Sequence, residues 1–237
     1  MRYIDIAKIG IKLSPEQKQA LLDAEAKVKD VFEKTESVIS TSTDEVELKK
    51  ANEKRTAIID KYSHLWSDIK DIYAAYSHGK CWYSESINSG SKKDMDHYRP
   101  KGKVYEDDKH PGYWWLAFNW ENYRFSCQFC NQLKKNPVTK FTGGKGTHFP
   151  LLNGSFKACS PTDNYKNENP VLLDPCVCAD PKLLYFDIQG MPIVHPKFGK
   201  DSTAQERVEA SIKYLNIDQP EFVNDRALLF NEIKELI

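Results

Sequence analysis

A pair of cysteines two residues apart is the feature that most constrains how this chain can fold. Cys127 and Cys130 stand in CQFC, within a segment, 79–152, that has poor apolar periodicity and four of the five tryptophans. A CxxC turn can place two thiolates on one zinc ion, and a segment that cannot build a regular core often depends on such a metal. Cys81, in CWYS, supplies a third thiol. We therefore predict a structural zinc ion on Cys81, Cys127 and Cys130.

The fourth zinc ligand is the weak point of this prediction. Ser84 stands where a second CxxC pair would have its other cysteine. A neutral hydroxyl is a poor zinc ligand beside thiolates, so we expect Glu85, a nearby histidine or water to complete the site. The alternative is a reduced, metal-free CxxC turn with a buried Cys81.

The composition limits which classes of protein the chain can belong to. The chain has 237 residues, 40% of them hydrophobic, and 34 basic residues balance 34 acidic ones. No global positive field attracts nucleic acid, so any such contact needs a local basic patch. No segment is long and apolar enough to be a membrane span or a secretory signal, which predicts a cytoplasmic protein that does not contact membranes. In such a compartment the six cysteines are expected to be thiols or metal ligands.

The pattern along the chain predicts an α+β fold that is mainly helical. Residues 1–78 have helical periodicity, with a capped start at Ser14 and a break at 40–44, and predict an antiparallel helical pair. Residues 79–152 form the metal-dependent core, in which 112–120 (GYWWLAFNW) is expected to be one short helix and 142–146 (TGGKG) a flexible turn. Residues 153–237 are expected to hold a loop, a β-hairpin over 183–195 with a Gln-Gly turn, a helix capped by Ser202, and a last helix from Pro220.

A set of acid–base and amide side chains flanks the cysteines. Asp96 and His97 lie between Cys81 and the CxxC pair, Asn122 precedes that pair, and Asn131 follows it directly. A carboxylate and an amide oxygen are ligands for a hard divalent ion, and a neutral imidazole can take a proton from water. Asn131 is expected to open a short helix carrying Lys134, which would reach a phosphate as a point charge.

In this order these residues resemble the HNH endonucleases, with their ββα-metal finger. The three signature positions correspond to His97, Asn122 and Asn131. The resemblance implies that Asp96 and Asn131 hold Mg²⁺ or Mn²⁺, that His97 is the general base, and that Asn122 braces the His97 loop. It also implies that zinc is structural, and Ser84 departs from the usual zinc ligands.

A closer resemblance covers about 80–176. The motifs KCWYSE, DHYRPKG, YWWLAFNWENYRFSCQFCNQLKKN, THFPL and ENPVLLDPC, in that order, are similar to the HNH component of Septu-type and retron-associated anti-phage defence systems. The resemblance implies a phosphodiester-cutting effector, with DNA the favoured substrate, and a partner, an ABC-type, SMC-like ATPase.

Other functions remain open from the residues alone. The chain could be a zinc-knuckle module that binds nucleic acid or protein without cutting, or a partner-binding subunit whose nuclease is silent until assembly. The substrate of a nuclease could also be RNA, including tRNA. Arg99, Lys101 and Lys134 are the predicted contacts to the phosphate backbone.

Overall fold

The computed structural model describes residues 1–87 and 93–236, which form an α+β fold with about half of the residues in helices. The α-helices are α1 (Ile6–Lys12), α2 (Pro15–Thr41), α3 (Glu45–Lys61), α4 (His64–Asp68), α5 (Lys70–Ala75), α6 (Gln128–Asn131), α7 (Ser202–Tyr214) and α8 (Pro220–Glu235). The strands are β1 (Lys93–His97), β2 (Tyr123–Cys127), β3 (Lys134–Lys135), β4 (Thr142–Gly143), β5 (Leu184–Phe186) and β6 (Pro192–Val194). Within the described ranges the strands pair in order as three small antiparallel sheets.

The two long helices α2 and α3 form the expected helical pair. The Ser14 side chain accepts from the N–H of Gln17, and the Gln17 side chain accepts from the N–H of Ser14, so a capping box starts α2. Asp44 caps α3 after the predicted break. The helical pattern does not continue as one helix to residue 76, because α3 ends at Lys61 and two short helices, α4 and α5, follow it.

The helical pair shares its core with the cysteine-containing segment. The Phe32 ring on α2 stacks on the Trp114 ring at 4.2 Å between centroids. The Tyr73 hydroxyl on α5 donates to the carbonyl of Trp120 at 2.8 Å. Residues 112–120 are not the single helix we predicted. They form a 3₁₀ turn, Trp114–Leu116, and the chain is extended at Asn119 before a second 3₁₀ turn begins.

The sheet β1–β2 and the short helix α6 carry the predicted site residues. In the antiparallel register Asp96 lies opposite Arg124, and His97 lies opposite Tyr123. The helix α6 ends at Asn131, so Asn131 does not open a helix as predicted, and Lys134 lies in β3 instead. The order strand, strand, helix is present, but α6 is a single turn, and the HNH finger therefore stays a prediction.

The C-terminal elements pack behind this unit. The hairpin β5–β6 turns at Gly190, whose φ of +79° suits glycine. Asp201, and not Ser202, caps α7 by accepting from the N–H of Ala204. Buried Val208 on α7 and Phe222 on α8 belong to the same hydrophobic cluster as the three buried cysteines. In the described part of the chain, none of the helices has the length and apolar character needed to cross a membrane.

Candidate metal and active site

Three buried thiols meet beside the sheet β1–β2. Cys81 follows the end of the α5 region, Cys127 is the last residue of β2, and Cys130 lies in α6. Their Sγ atoms lie within 4.8 Å of one another, and all three side chains are buried. We call this group the thiol cluster. Three convergent sulfur atoms are a donor set that suits zinc, since thiolates bind Zn²⁺ at about 2.3 Å in tetrahedral sites. The cluster could therefore bind a metal such as zinc.

The structure distinguishes among the expected fourth ligands. The Ser84 Oγ lies 3.9 Å from the Cys127 Sγ and is buried. The Glu85 carboxylate points instead to the α-amino group of Met1, at 3.1 Å. Among the residues that the structure describes, no histidine or carboxylate oxygen joins the three thiols. Glu85 is therefore engaged elsewhere, and Ser84 is the candidate that lies next to the thiols.

The thiols influence one another's acidity. Burial by itself raises the pKa of Cys81, but hydrogen bonds with Cys127, Cys130 and Ser84 outweigh it and lower the pKa well below its ordinary value. Burial and the two neighbouring thiols raise the pKa of Cys130 well above its ordinary value. One thiolate therefore forms readily in the cluster, whereas a second one needs a cation to compensate its charge.

Asp96 lies in a second buried group, which we call the Asp96 cluster and define as Tyr83, Asp96 and Lys145. The Tyr83 hydroxyl donates to Asp96 Oδ2 at 2.6 Å, and the Lys145 Nζ donates to Asp96 Oδ1 at 3.0 Å. The same Nζ donates to the carbonyl of His97 at 2.7 Å. Asp96 is 3% exposed and Lys145 is 0% exposed. Both carboxylate oxygens therefore already have a protein donor.

His97 is held as a neutral imidazole. Its Nε2 lies 2.9 Å from the carbonyl oxygen of Ala117, which can only accept, so the proton is on Nε2 and Nδ1 has a free lone pair. The Trp66 and Tyr123 rings meet the imidazole edge to face at 4.9 and 5.1 Å. Burial, with smaller contributions from Lys101 and Lys145, lowers the pKa of His97 to about 3. The ring is thus unprotonated at neutral pH.

Asn122 fixes the turn that follows His97. Its Nδ2 donates to the carbonyl of Arg99, and its Oδ1 accepts from the N–H of Arg99, both at 2.9 Å. The backbone N–H of Tyr98 also donates to the carbonyl of Asn122 at 2.8 Å. These bonds tie the chain after β1 to the residue before β2.

The amide nitrogen of Asn131 is bound to Asp94. The Asn131 Nδ2 donates to Asp94 Oδ2 at 2.9 Å, and the side chain of Gln132 donates to the same oxygen at 3.0 Å. A hard divalent ion needs oxygen ligands that are free to turn toward it. Lys145 and Tyr83 already donate to both carboxylate oxygens of Asp96, and the Asn131 amide is bound to Asp94. In this arrangement the pair of Asp96 and Asn131 therefore does not fit such an ion.

The three predicted phosphate contacts have different environments. The Arg99 Nε donates to the Glu168 carboxylate at 2.7 Å, and the Arg99 side chain is only 12% exposed. Lys101 is partly buried, with its Nζ 5.8 Å from the centre of the Trp66 ring. Lys134 is exposed on β3. Phosphate contact by Arg99 stays a prediction that would require breaking its ion pair with Glu168.

Sequence comparison places these features in a family. The chain is 30% identical over 171 residues to the "Septu protein PtuB" of Bacillus mycoides (strain KBAB4), and the match covers 70% of this chain and 52% of that protein. This similarity supports placing the chain in the Septu-type, PtuB-like family. It spans about half the length of this curated relative. No protein-family model matches the sequence.

Two residues of the Asp96 cluster in this PtuB-like chain were missed by sequence reasoning. Tyr83 lies inside the CWYS motif, where only the cysteine and serine drew attention. Lys145 lies in 142–146, which we expected to be a flexible turn. The segment is instead tightly packed, because a Cβ on Gly144 would lie 1.9 Å from the carbonyl oxygen of Gln132. A lysine flanked by glycines in GGKG was the available signal, since glycines permit close backbone approach.

Proposed function

We propose that this PtuB-like chain is an HNH-type endonuclease that hydrolyses phosphodiester bonds of nucleic acid, with His97 as its general base. The observation that carries the proposal is the hydrogen bond from the Nε2–H of His97 to the carbonyl of Ala117. This bond selects the tautomer whose Nδ1 can accept a proton. A histidine that acts as a general base must be unprotonated and oriented before the substrate arrives, and this imidazole is both.

In the proposed reaction, Nδ1 of His97 takes a proton from water, and the oxygen of that water attacks phosphorus. The bond from phosphorus to the leaving oxygen of the sugar breaks as the new bond forms, and that oxygen keeps the bonding electron pair and takes a proton from solvent water. Asn122 contributes indirectly, because it holds the turn after His97 through two hydrogen bonds to Arg99. Asn122 is therefore a positioning residue in this mechanism.

The two clusters of the proposed nuclease differ in the metal that each would need. Zinc on the thiol cluster would be structural and would hold β2, α6 and the CWYS turn together. The HNH resemblance also implies Mg²⁺ or Mn²⁺ on Asp96 and Asn131, a donor pair that Lys145 and Asp94 already engage. We therefore assign no step of the reaction to a divalent ion.

DNA is the favoured substrate, and Arg99, Lys101 and Lys134 are the proposed contacts to its phosphates. The chain has no net charge, so such contacts must be local and sensitive to salt. RNA, including tRNA, is the alternative substrate, since the same base chemistry serves any accessible phosphodiester.

The similarity to a Septu protein supports a role in anti-phage defence. We propose that the chain is the effector of such a system, in the cytoplasm, and that an ABC-type, SMC-like ATPase is its partner. Association with a retron follows from the same resemblance. Because the chain covers about half of the Septu relative, the partner must be tested directly.

The deciding experiment is a cleavage assay on plasmid DNA, single-stranded DNA and total RNA, each with Mg²⁺, with Mn²⁺ and with EDTA, in the presence and absence of the ATPase. His97→Ala and His97→Asn should each slow cutting by roughly 10²–10⁴-fold, the usual contribution of a general base. His64→Ala is the matched control, because His64 is exposed on α4. Wild-type cutting by folded His97→Ala protein would refute the assignment of the base.

A binding module without catalysis is the second candidate. The observation that favours it is the burial of His97, which is 8% exposed beneath the Trp66 ring. Such a module would bind labelled DNA or RNA in an anisotropy titration and leave every substrate intact, with or without the ATPase. Zinc dependence of binding, with no cleavage under any condition, would establish this second function.

A further inference from the structure

The ammonium group of Lys145 lies against Asp96, one of the two residues on which the HNH resemblance puts a metal ion. Its Nζ lies 3.0 Å from Asp96 Oδ1 and 2.7 Å from the carbonyl oxygen of His97, and the side chain is 0% exposed. These are two oxygen atoms from the residues on which the predicted catalysis depends. A cation that binds a carboxylate and a carbonyl supplies the same attraction that a metal ion would supply there.

Backbone contacts around Lys145 hold its side chain against Asp96. The N–H of Lys145 donates to the carbonyl of Cys130 at 2.7 Å, and the N–H of Gly146 donates to the carbonyl of Asn131 at 2.8 Å. Gly144, with φ of +102°, turns the chain against Gln132 where a side chain would clash. Lys145 is therefore fixed by the last residues of α6, next to the thiol cluster.

With its remaining contacts, Asp96 forms a cluster in which the negative and positive charges balance. Tyr83 donates to the other carboxylate oxygen at 2.6 Å, so Asp96 is bound on both oxygens and its charge is matched by that of Lys145. The side chain of Asn131, the second predicted ligand, donates to Asp94. A divalent ion approaching Asp96 would meet the like charge of Lys145 and would have to separate a buried ion pair.

We infer that Lys145 is the resident cation of the Asp96 site, where it positions Asp96 and the His97 carbonyl, and that a divalent cation binds Asp96 only after Lys145 withdraws. This inference goes beyond the proposed nuclease function, because it concerns which cation Asp96 holds whether or not the chain cuts nucleic acid. It predicts that the binding of divalent ions is controlled by the amine of Lys145.

Titration of Mn²⁺ into the purified protein tests this inference, with bound Mn²⁺ followed by electron paramagnetic resonance. The variant Lys145→Met removes the charge at similar length and frees one oxygen of Asp96. It should bind Mn²⁺ roughly tenfold more tightly or better than the wild type. The control Lys200→Met removes an exposed lysine that has no proposed role in the site and should leave Mn²⁺ affinity unchanged. The double variant Asp96→Asn/Lys145→Met should lose the gain, which locates the new ion at Asp96.

Thermal unfolding supplies a second readout. Mn²⁺ should raise the melting temperature of Lys145→Met and leave that of the wild type unchanged, because only the variant gains a ligand in its folded state. The same Mn²⁺ affinity in wild type and Lys145→Met would overturn the inference. So would tight Mn²⁺ binding by the wild type that Asp96→Asn abolishes.

A measurement on the wild-type protein covers the case in which Lys145→Met does not fold. A buried, hydrogen-bonded ammonium exchanges its protons slowly and gives its own ¹⁵N signal in protein with labelled lysine. We expect this signal to persist in millimolar Mg²⁺. Its loss at micromolar Mg²⁺ would mean that the metal displaces Lys145 easily and would contradict the inference. A result on cation binding stands apart from the cleavage assay, so either proposal can fail alone.

Discussion

The thiol cluster and the Asp96 cluster lie side by side, and they differ in how buried negative charge is compensated. Both are buried and both are tied to α6, one through Cys130 itself and the other through the bond from the Lys145 N–H to the Cys130 carbonyl. The Asp96 cluster contains its own cation, and its charges cancel within the chain. The thiol cluster has no such cation among the described residues, and its polar side-chain neighbours are the hydroxyl groups of Ser84 and Ser126, each 3.9 Å from a sulfur.

The two clusters therefore differ in whether they depend on an ion from solution. Three thiols need a divalent cation before more than one of them can ionise, whereas Asp96 is already compensated by Lys145. Local stability should therefore depend on metal at one cluster and on a side chain at the other. The following tests separate the two, in order of decreasing effect.

Loss of a thiol should have the largest effect. Cys130→Ser should abolish stoichiometric zinc, measured by mass spectrometry of the metal content, and should remove a large part of the roughly 10 kcal/mol that structural zinc supplies to small metal domains. Cys178→Ser is the control, since Cys178 is exposed and distant from the cluster in sequence. Unchanged denaturant unfolding of the Cys130→Ser protein would show that the thiol cluster needs no metal.

Loss of the internal cation should come next. Lys145→Met leaves a buried carboxylate without its partner and should lower the free energy of unfolding by about 3–5 kcal/mol. Asp96→Asn in the same background should recover part of this loss, because it removes the unpaired charge. Urea unfolding of both single variants and the double variant measures their coupling energy. Strict additivity would mean that the pair contributes nothing to stability.

Removal of the hydroxyl that faces Asp96 should have a smaller effect. Tyr83→Phe keeps the buried ring and deletes one donor to the carboxylate, which should cost about 1.5–3 kcal/mol of unfolding free energy. Tyr185→Phe is the control because Tyr185 is largely exposed on β5. Equal stability of the two variants would indicate that water replaces the Tyr83 hydroxyl without penalty.

Completion of the thiol cluster should have the smallest effect and the opposite sign. Ser84→Cys places a fourth sulfur where Ser84 Oγ now lies 3.9 Å from Cys127. A gain of roughly 1 kcal/mol would raise the melting temperature by about 2–4 °C for a chain of this length. Competition with a chromophoric chelator should show tighter zinc binding. Weaker zinc retention than in the wild type would mean that the fourth position belongs to another ligand.

Local signals in the sequence predicted a good part of this arrangement. The capping box at Ser14 and the break before Asp44 are local hydrogen-bond patterns, and they start the two long helices as expected. The convergence of Cys81 with the CxxC pair also followed from motif spacing. Each of these features depends on a few adjacent residues.

Features that depend on distant contacts could not be predicted in this way. Lys145 reaches Asp96 from 49 positions along the chain, and no spacing rule connects a lysine after a glycine pair to a strand so far before it. The early end of α6 depends on the backbone bonds of Cys130 and Asn131 to 145–146. Tertiary contacts decide both, and local propensity does not reveal them.

The segment between Asn131 and Lys145 offers a place to label the protein. Its two ends are joined by backbone hydrogen bonds from Lys145 to Cys130 and from Gly146 to Asn131, and its tip, 138–141, is exposed. Lengthening only the exposed tip between β3 and β4 should therefore leave the position of Lys145 unchanged, since doubling a flexible loop costs only about 0.6 kcal/mol. A fluorophore or an inserted peptide at this tip would leave both clusters in place and would make this segment a convenient handle for labelling the protein.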